Sequence, residues 1–376
     1  MKKRIQVGLL FGGKSAEHEI SILSARNILE ALDPARYHAV LIGIDKQGRW
    51  HRQDMQKFMS EAGYDYRIGA SDSGLALIPG KTQDQIVPDG AGGDYIDRLD
   101  VIFPITHGPF GEDGALQGML KLTGIPFVGA SVLGSAVGMD KDVMKRLLRD
   151  AGIRIGNFMT FRKHEIDDIV FDAVREELGL PVYVKPANLG SSVGINRVGA
   201  RGTDEGGYHA EESDFRAAVN EAFRFDQKIV IEENIVGREI EVAVLGDETP
   251  RASVAGEIIP GDGFYSYKSK YMDANEARLE MPAKISDDLL FRLQQVAIRT
   301  FQVLECSGLA RADFFVTQDE TIYVNEINTL PGFTSISMYP KLWELSGIPR
   351  EDLVDTLIQL ALDRHERDAA LKTTVE

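Results

Sequence analysis

The sequence predicts a mixed α/β (α+β) protein of two or three packed units, with a parallel sheet near the N-terminus. The chain has 376 residues, which is long for a single hydrophobic core. In the first hundred residues strands alternate with helices, a pattern typical of a parallel sheet covered by helices. From residue 237 onward, strands follow one another with short turns as far as a predicted helix over 286–304, so this last unit is expected to be largely antiparallel.

The first unit combines hydrophobic alternation with one amphipathic helical segment. A Gly-, Asp- and Ser-rich stretch over 64–95 interrupts it and is expected to be a surface excursion. The predicted elements are strands over 5–11, over 38–44 and up to 105, helices over 19–32 and from 114, and a short strand at 127–128.

A joint of small residues near 130 begins the second unit. The helix that follows is predicted to turn Val143, Leu147 and Leu148 to one side. The polar, Gly-rich segment 199–212 is expected to be a mobile loop. Further elements are strands over 180–186, from 193 and over 228–234, and a helix over 213–225. The predicted domains are therefore 1–131, 132–233 and 234–376.

Charge and apolar runs limit the partners. The chain carries 58 acidic and 42 basic residues, so its formal charge of -16 disfavours nucleic acid as a partner. No apolar run is long enough to cross a bilayer, and the seven-residue run after "MKKR" lacks a cleavage site, so no membrane partner is expected. Cys306 lies in an apolar stretch and is interpreted as a small buried residue. We therefore expect a cytoplasmic protein.

The segment "KPANLGSSVGI", residues 185–195, combines a lysine at the end of an apolar strand with a loop of glycines and serines. Glycines allow backbone N–H groups to approach an anion, while Lys185, Ser191 and Ser192 add charge and donors. The segment therefore predicts a phosphate cradle, although it lacks the P-loop pattern. A flexible hairpin is the alternative.

Glutamates are concentrated in "VIEENIVGREIEVAVL", residues 230–245. Glu232, Glu233, Glu239 and Glu241 could accept hydrogen bonds from an adenine amine or from ribose hydroxyls. Strands of acidic proteins also carry solvated glutamates, so this segment indicates a nucleotide only when other signals do.

The segment 308–328 supplies those signals. Two strands flank the turn "TQDE", so antiparallel pairing should bring Asp313 to within about two residues of Glu326, with Asn328 further along the same face. These hard oxygen donors suit Mg²⁺, which completes its shell with phosphate oxygens and water. Arg311 shares the face of Asp313, a combination typical of phosphoryl transfer. The alternative is a plain ion pair between Arg311 and Glu326.

A set of these residues resembles the ATP-grasp ligases in order and spacing. It consists of Lys141, Lys185, the loop around Ser191, Glu232, Asp313, Glu326 and Asn328. The segments "FGGKSAEHEIS" (11–21), "HGPFGEDGALQG" (107–118) and "NEINTLPGFTSISMYP" (325–340) resemble the D-alanine–D-alanine ligases in particular, and the likeness spans nearly the whole chain. It implies a three-domain ATP-grasp architecture and a homodimer. In such ligases ATP phosphorylates the carboxylate of one D-alanine, and the amine of a second D-alanine attacks the acyl phosphate.

The resemblance also implies ligand contacts. It implies ATP and two Mg²⁺ ions, with Mn²⁺ as an alternative, and assigns the metal to Asp313, Glu326 and Asn328. The residues implied to bind the nucleotide are Lys141, Lys185, Ser191, Ser192, Glu232, Glu233, Ile235, Glu239, Lys270, Phe315, Asn325 and Glu326. At Glu233 some relatives carry lysine, and segment 199–212 has no counterpart in the pattern.

Catalytic and substrate roles follow from the same likeness. Glu17 is implied as the counter-ion for the first ammonium, steadied by Ser191 and Tyr271. Arg311 and the backbone N–H of Gly332 are implied to face the developing oxyanion. His107 is implied near the substrates, and Ser337 with the backbone of Met338 at the second carboxylate. Segment 264–273, with Lys270 and Tyr271, is implied to be a lid that excludes water.

Several alternatives stay open. Glu17 would also suit a helix N-terminus through its charge, and His107 could be structural. Another ATP-grasp carboxylate–amine ligase would share Lys185 and the metal residues. A D-alanine–D-lactate ligase is a closer rival, although such enzymes carry histidine where this chain has Tyr271. A nucleotide-binding regulatory module should have lost Arg311 or a metal ligand.

Overall fold

The fold is mixed α/β, as predicted, and is built on three larger sheets with helices packed against them. The computed structural model describes residues 3–61, 66–69, 74–80, 85–88, 98–201, 208–260, 277–372 and 374. In this part of the chain no helix is both long and apolar enough to cross a membrane. The α-helices of the described residues are α1 His18–Ala31, α2 Met55–Ser60, α3 Ala115–Thr123, α4 Val132–Met139, α5 Lys141–Asp150, α6 Phe171–Leu178, α7 Glu212–Ala222, α8 Asp287–Val303, α9 Met338–Leu345 and α10 Arg350–Ala369.

The first sheet contains the predicted parallel core. Its described strands lie in the order β5-β4-β3-β2-β1-β6; β1 pairs in parallel with β2 and β6, and the remaining pairs are antiparallel. The stretch 64–95, predicted as a surface excursion, also contains two short strands that were not predicted, since its described residues add β4 and β5 to the sheet edge. The bounds are β1 Ile5–Gly12, β2 Tyr37–Ile44, β3 Trp50–Arg52, β4 Gly74–Leu77, β5 Ile86–Pro88 and β6 Val101–Ile105.

Helix α1 is fastened to the ends of β1 and β6 by Ser21. Its Oγ accepts a hydrogen bond from the Gly12 N–H at 2.7 Å and donates to the Ile105 carbonyl at 2.5 Å. Ser21 is fully buried, so both bonds are shielded from water. The loops that leave β1 and β6 are therefore held together at the carboxyl edge of the sheet, where ligands bind in open α/β sheets.

The second sheet has the order β7-β12-β8-β9 and is antiparallel throughout. The strand predicted from 193 begins only at Asn196, because Ser191 and Ser192 adopt positive φ angles of 54° and 58° that turn the chain. Segment 199–212 is not simply a loop, since Ala200–Arg201 pairs with Tyr208–His209. The strands of this region are β7 Phe158–Arg162, β8 Val182–Pro186, β9 Asn196–Val198, β10 Ala200–Arg201, β11 Tyr208–His209 and β12 Lys228–Glu233.

The third sheet confirms the predicted antiparallel unit. Its described strands lie in the order β15-β14-β13-β16-β17, and α8 packs against β13 and β14. A hydrophobic core between them contains Leu293, Ala297 and Phe301 of the helix. The strand bounds are β13 Arg238–Gly246, β14 Arg251–Pro260, β15 Ala277–Glu280, β16 Gly308–Val316 and β17 Ile322–Asn328.

Helix α5 buries a different face from the one predicted. Leu148 is buried as expected, but Leu147 is 37% exposed, whereas Lys141 and Lys145 are buried. The reason is electrostatic: carboxylates of other elements, Glu326 for Lys141 and Glu232 for Lys145, face this side of the helix. Apolar periodicity cannot anticipate a helix face that is buried against charged partners.

Two glycines allow α4 to lie close to its neighbours and so position the start of α5. A Cβ atom on Gly134 would lie 2.3 Å from the carbonyl oxygen of Glu305, and one on Gly138 would lie 2.7 Å from the Thr329 side chain. No bulkier residue fits at Gly134 without moving backbone. Gly134 therefore allows α4 to approach the backbone at Glu305, and Gly138 allows it to approach the end of β17.

We predict that Gly134→Ala lowers the free energy of unfolding by about 2 kcal/mol or more, because the added methyl group meets backbone rather than a flexible side chain. The matched control is Gly118→Ala in α3, where a Cβ would meet nothing within 4 Å. The control should raise stability by up to about 1 kcal/mol, because alanine favours the helix interior. Urea unfolding of both variants measures the difference, and equal effects would contradict the packing argument.

Candidate active site

Two adjoining pockets lie where the three sheets meet. The first is lined by residues that follow β1 and β6 in the chain, by the end of β17 and by the turn after it; the second lies between the second and third sheets. Both are open to solvent. The residues that line both pockets are Lys141, Gly190, Ser191, Glu241, Ile258 and Glu326. A molecule bound in one pocket would therefore reach a molecule bound in the other.

A buried ion cluster forms one wall of the second pocket. The Lys185 Nζ donates to Glu232 Oε2 at 2.9 Å, and the Lys145 Nζ lies 3.5 Å from the same oxygen. Burial alone would raise the pKa of Glu232, but the two lysines outweigh it and hold that pKa below its usual value. Burial lowers the pKa of Lys145. Sequence reasoning missed Lys145, whose only signal was its place one helical turn after Lys141.

The 187–194 loop lines both pockets, as a phosphate cradle requires. The Lys141 Nζ donates to the Leu189 carbonyl at 2.8 Å, and the Asn188 backbone N–H donates to Asp226 at 2.7 Å. The chain turns at Ser191 and Ser192, both in the left-handed region. This loop is anchored at its first residues and connects the antiparallel strands β8 and β9. It is therefore a hairpin, and its role as a phosphate cradle stays a prediction.

The other predicted nucleotide residues also line the second pocket. Backbone and side chains from the link between β12 and β13, from β13 itself and from the β16–β17 hairpin form its remaining walls. They include Ser192, Glu233, Ile235, Glu239, Phe315 and Asn325. Lys270 and Tyr271 lie outside the residues that the structure describes.

The β16–β17 hairpin brings the predicted metal ligands together. Asp313 pairs directly with Glu326, and Arg311 pairs with Asn328, with an irregularity in register immediately after Asp313. The Arg311 guanidinium donates to Asp313 at 2.8 and 2.7 Å and lies 3.0 Å from Glu241. Burial would lower the pKa of Arg311, but the surrounding carboxylates raise it well above its usual value. Arg311 thus stays charged inside the site.

The donor set at this hairpin fits a hard divalent cation. Asp313 and Glu326 supply carboxylate oxygens, and the Asn328 Oδ1, which accepts a hydrogen bond from the Leu330 N–H at 3.0 Å, keeps a second lone pair. The Lys141 Nζ lies 3.2 Å from Glu326. No group of three or more His, Cys, Asp or Glu with ligand geometry occurs among the described residues.

The first pocket contains the predicted substrate residues. Glu17 is buried at the N-cap position of α1, where its side chain makes no capping hydrogen bond. Gly332 lies in the turn after β17, and a Cβ there would come within 2.9 Å of the Ser337 Oγ. The structure therefore brings the Pro-Gly turn close to Ser337. The predicted catalytic and substrate residues that line this pocket are Glu17, His107, Ser191, Arg311, Gly332, Ser337 and Met338.

His107 has structural partners as well as a place in the pocket. Its Nδ1 lies 3.1 Å from the Leu330 carbonyl and its Nε2 lies 3.4 Å from the Ser24 Oγ. The same Ser24 Oγ accepts a hydrogen bond from the Phe333 N–H at 3.1 Å. Burial lowers the pKa of His107, although Glu17 acts to raise it. His107 thus links α1 to the Pro-Gly turn.

Glu112 is a pocket residue that sequence reasoning missed, although it lies in the segment 107–118. It is 8% exposed; its Oε1 accepts a hydrogen bond from the Gly108 N–H at 3.0 Å, and its buried Oε2 has no hydrogen-bond partner among the residues that the structure describes. Burial and then the nearby Glu17 raise the pKa of Glu112 to about 8. No periodic pattern marks such a residue, because only the folded chain creates its surroundings.

Family models match most of the chain. The D-ala D-ala ligase N-terminus model matches residues 6–130, and the D-ala D-ala ligase C-terminus model matches residues 147–359. The chain belongs to the D-alanine–D-alanine ligase family.

Individual members of the family agree in length as well as in sequence. The chain is 51% identical to a D-alanine–D-alanine ligase of Shouchella clausii over 376 residues, covering 100% of this chain and 98% of the relative. It is 48% identical to D-alanine–D-alanine ligase A of Escherichia coli K12 over 375 residues, 99% of this chain and 100% of the relative.

Solved structures agree in fold. The D-alanine–D-alanine ligase of Coxiella burnetii superposes with a TM-score of 0.83 at 38% identity, covering 97% of this chain and 96% of that chain. The VanG D-Ala:D-Ser ligase of Enterococcus faecalis superposes with a TM-score of 0.82 at 31% identity, covering 96% of this chain and 100% of that one. The family fold therefore extends over the three sheets described above.

We predict that Glu112→Gln stabilises the protein increasingly as the pH rises from 4.5 to about 8. The native wild type holds the Glu112 proton more tightly than the unfolded chain, so its stability falls across this range, by up to about 1.4 kcal/mol per pH unit, and the neutral amide escapes that loss. Urea unfolding at several pH values measures the effect. Glu177→Gln, at an exposed position of α6, is the control and should follow the wild type. Parallel curves for all three proteins would contradict the buried-carboxyl argument.

Proposed function

We propose that this protein joins two molecules of D-alanine to D-alanyl-D-alanine for peptidoglycan precursor synthesis and converts ATP to ADP and phosphate. The observation that carries the proposal is the pair of adjoining pockets whose common wall contains Lys141, Ser191 and Glu326. A nucleotide in one pocket can then phosphorylate a carboxylate in the other. Membership of a family of D-alanine–D-alanine ligases supports the same reaction.

The second pocket binds ATP in this proposal. Lys141 and Lys185 hold phosphates, the backbone of the loop at Ser191 and Ser192 closes over them, and Glu232 and Glu239 receive the adenine amine and the ribose hydroxyls. The pairing of Glu232 with two lysines supports its role as an acceptor, because it keeps the carboxylate ionised. The remaining proposed nucleotide contacts are Glu233, Ile235, Lys270, Phe315, Asn325 and Glu326.

Asp313, Glu326 and Asn328 would hold two Mg²⁺ ions, with Mn²⁺ as an alternative. Bound there, the metal supplies charge stabilisation to the phosphates during transfer. Arg311 remains charged beside Asp313, so it also faces any negative charge that develops in the first pocket. The metal ions and Arg311 at the β16–β17 hairpin would thereby supply positive charge to the reaction in a chain whose net charge is negative.

The first pocket binds the amino acids. Glu17 pairs with the first ammonium, with Ser191 and Tyr271 as its supports, and His107 lies beside the substrates. Arg311 and the Gly332 N–H stabilise the oxyanion of the tetrahedral intermediate. Ser337 and the Met338 backbone receive the second carboxylate, and segment 264–273 excludes water. We further propose the domains 1–131, 132–233 and 234–376, a homodimer, and a cytoplasmic location.

The proposal predicts that the purified protein, with ATP and Mg²⁺, releases phosphate only when D-alanine is present and forms D-alanyl-D-alanine. L-Alanine should not replace D-alanine. In competition with D-serine or D-lactate as the acceptor, D-alanine should give the main product at pH 7. Mass spectrometry of the products tests the assignment. A preference for D-lactate would contradict it, and so would phosphate release that does not depend on D-alanine.

We predict that Asp313→Asn lowers D-alanine-dependent phosphate release at least about 100-fold, because the metal contributes several kcal/mol of charge stabilisation. The matched control is Asp319→Asn, on the exposed turn of the same hairpin, which should retain the wild-type rate. Rates are compared across a Mg²⁺ titration. An Asp313→Asn enzyme that turns over normally at the same Mg²⁺ concentration would refute the metal assignment.

A further inference from the structure

The start of strand β12 is hydrogen-bonded to the 187–194 loop and, through it, to the start of helix α5. The Ala187 N–H donates to the Lys228 carbonyl at 3.0 Å, and the Ala187 carbonyl accepts a hydrogen bond from the Lys141 N–H at 2.9 Å. Lys228 is the first residue of β12, and Lys141 is the first residue of α5. The backbone therefore joins these two lysines through a single residue of the loop.

The Lys228 side chain makes a second connection to the same helix. Its Nζ donates to both carboxylate oxygens of Asp140, at 2.7 and 2.6 Å, and to the Asp142 Oδ2 at 3.2 Å. The Lys228 side chain is 9% exposed, so these bonds are largely shielded from water. Asp140 and Asp142 directly precede and follow Lys141 in the chain. One ammonium group therefore binds the residues on both sides of Lys141.

The two aspartates are also bound to helix α5 and to strand β7. Asp140 caps α5 with its side chain. The Asp142 Oδ1 accepts hydrogen bonds from the Arg146 Nε at 2.6 Å and from the Thr160 Oγ1 of β7 at 3.0 Å. Burial would raise the pKa of Asp142, but Lys228 and these donors hold that pKa below its usual value. Asp142 is therefore ionised opposite Lys228, and the contact between them is charge-assisted.

The Lys141 side chain extends from between the two aspartates into the wall that both pockets share. Its Nζ donates to the Leu189 carbonyl at 2.8 Å and lies 3.2 Å from Glu326. Lysine has many rotamers, so its ammonium group is placed accurately only where the backbone and the surroundings are fixed. Among the described residues that line the two pockets, Lys228 does not occur. Lys228 can therefore affect a bound ligand through Lys141 or through its own charge at a distance.

We propose that Lys228 is a positioning residue for nucleotide binding: its ammonium fixes both neighbours of Lys141 and so holds the Lys141 ammonium within reach of the phosphates. The inference rests on the proposed binding of ATP in the second pocket. Without Lys228, the carboxylates of Asp140 and Asp142 lose a counter-ion in a largely buried position, where an unpaired charge is costly. The start of α5 then shifts or admits water, and Lys141 no longer meets the 187–194 loop in one geometry.

ADP and adenosine separate an effect on the phosphates from a general loss of structure. They share the adenine and the ribose, but only ADP carries phosphates for Lys141 to hold. The dissociation constants of both are measured by calorimetry with the full-length protein and Mg²⁺, for the wild type and for Lys228→Met. The variant should bind ADP about tenfold more weakly, a coupling typical of residues in one network, and should bind adenosine within about twofold of the wild type.

The variant Lys141→Met tests whether the effect passes through Lys141. If it does, adding Lys228→Met to Lys141→Met should weaken ADP binding by less than about twofold, because the residue that Lys228 positions is already absent. A charge effect at a distance would instead weaken ADP binding by the same factor in both backgrounds. Equal factors would therefore overturn the proposal.

Two further variants complete the experiment. Lys163→Met is the matched control: Lys163 is exposed and its Nζ donates to the Phe223 carbonyl at 3.2 Å, so its loss should leave ADP binding unchanged. If Lys228→Met does not fold, Asp140→Asn takes its place, because asparagine still caps the helix but gives Lys228 a neutral partner. Asp140→Asn should weaken ADP binding in the wild type and not in the Lys141→Met background.

Two results would contradict the role of Lys228. One is unchanged ADP binding in the folded variant, and the other is an equal loss of ADP and adenosine binding, which would indicate a general structural role. A wild type that binds ADP no more tightly than adenosine would instead refute the proposed nucleotide site.

Discussion

The Lys141 ammonium holds together parts of the chain that are far apart in sequence. Its Nζ donates to the Leu189 carbonyl of the 187–194 loop and lies 3.2 Å from Glu326 on the β16–β17 hairpin. Because Lys141 begins α5, its position depends on α4, which packs through Gly134 against the backbone at Glu305 and through Gly138 against the end of β17. Small residues in one helix thus determine where a buried charge meets two sheets. The shared wall of the two pockets follows from this arrangement.

The site gathers positively charged side chains in a protein whose net charge is negative. The chain is formally -16, yet Lys141, Lys145, Lys185 and Arg311 are gathered around the pockets, each beside a carboxylate. Buried ion pairs are not a strong source of stability, because desolvation offsets much of the attraction. Buried ion pairs do fix the orientation of the side chains that form them. A site that binds phosphates needs cations that stay charged and stay in a fixed position.

The sequence predicted those features that depend on short-range pattern. Alternation in two strands around "TQDE" placed Asp313 near Glu326, and the structure pairs them directly. The sequence also predicted the parallel core of the first sheet and the antiparallel third unit. The edge strands β4 and β5 were missed because they are short and lie within a Gly-rich stretch. Lys145 and Glu112 were missed because their burial arises from contacts between distant segments, which no local period records.

Glu112 also shows why such residues resist prediction from stability arguments. A buried carboxyl group with a raised pKa lowers the stability of the native state near neutral pH, so the fold alone would favour an amide there. Its neighbours do not remove that cost: the Gly108 N–H serves Oε1 only, while Glu17 adds a like charge. The position of Glu112 is therefore set by the fold around it, since burial and the neighbouring Glu17, and not the segment 107–118 alone, determine its proton affinity. A side chain whose properties arise in this way can be recognised only after the distant segments have been brought together.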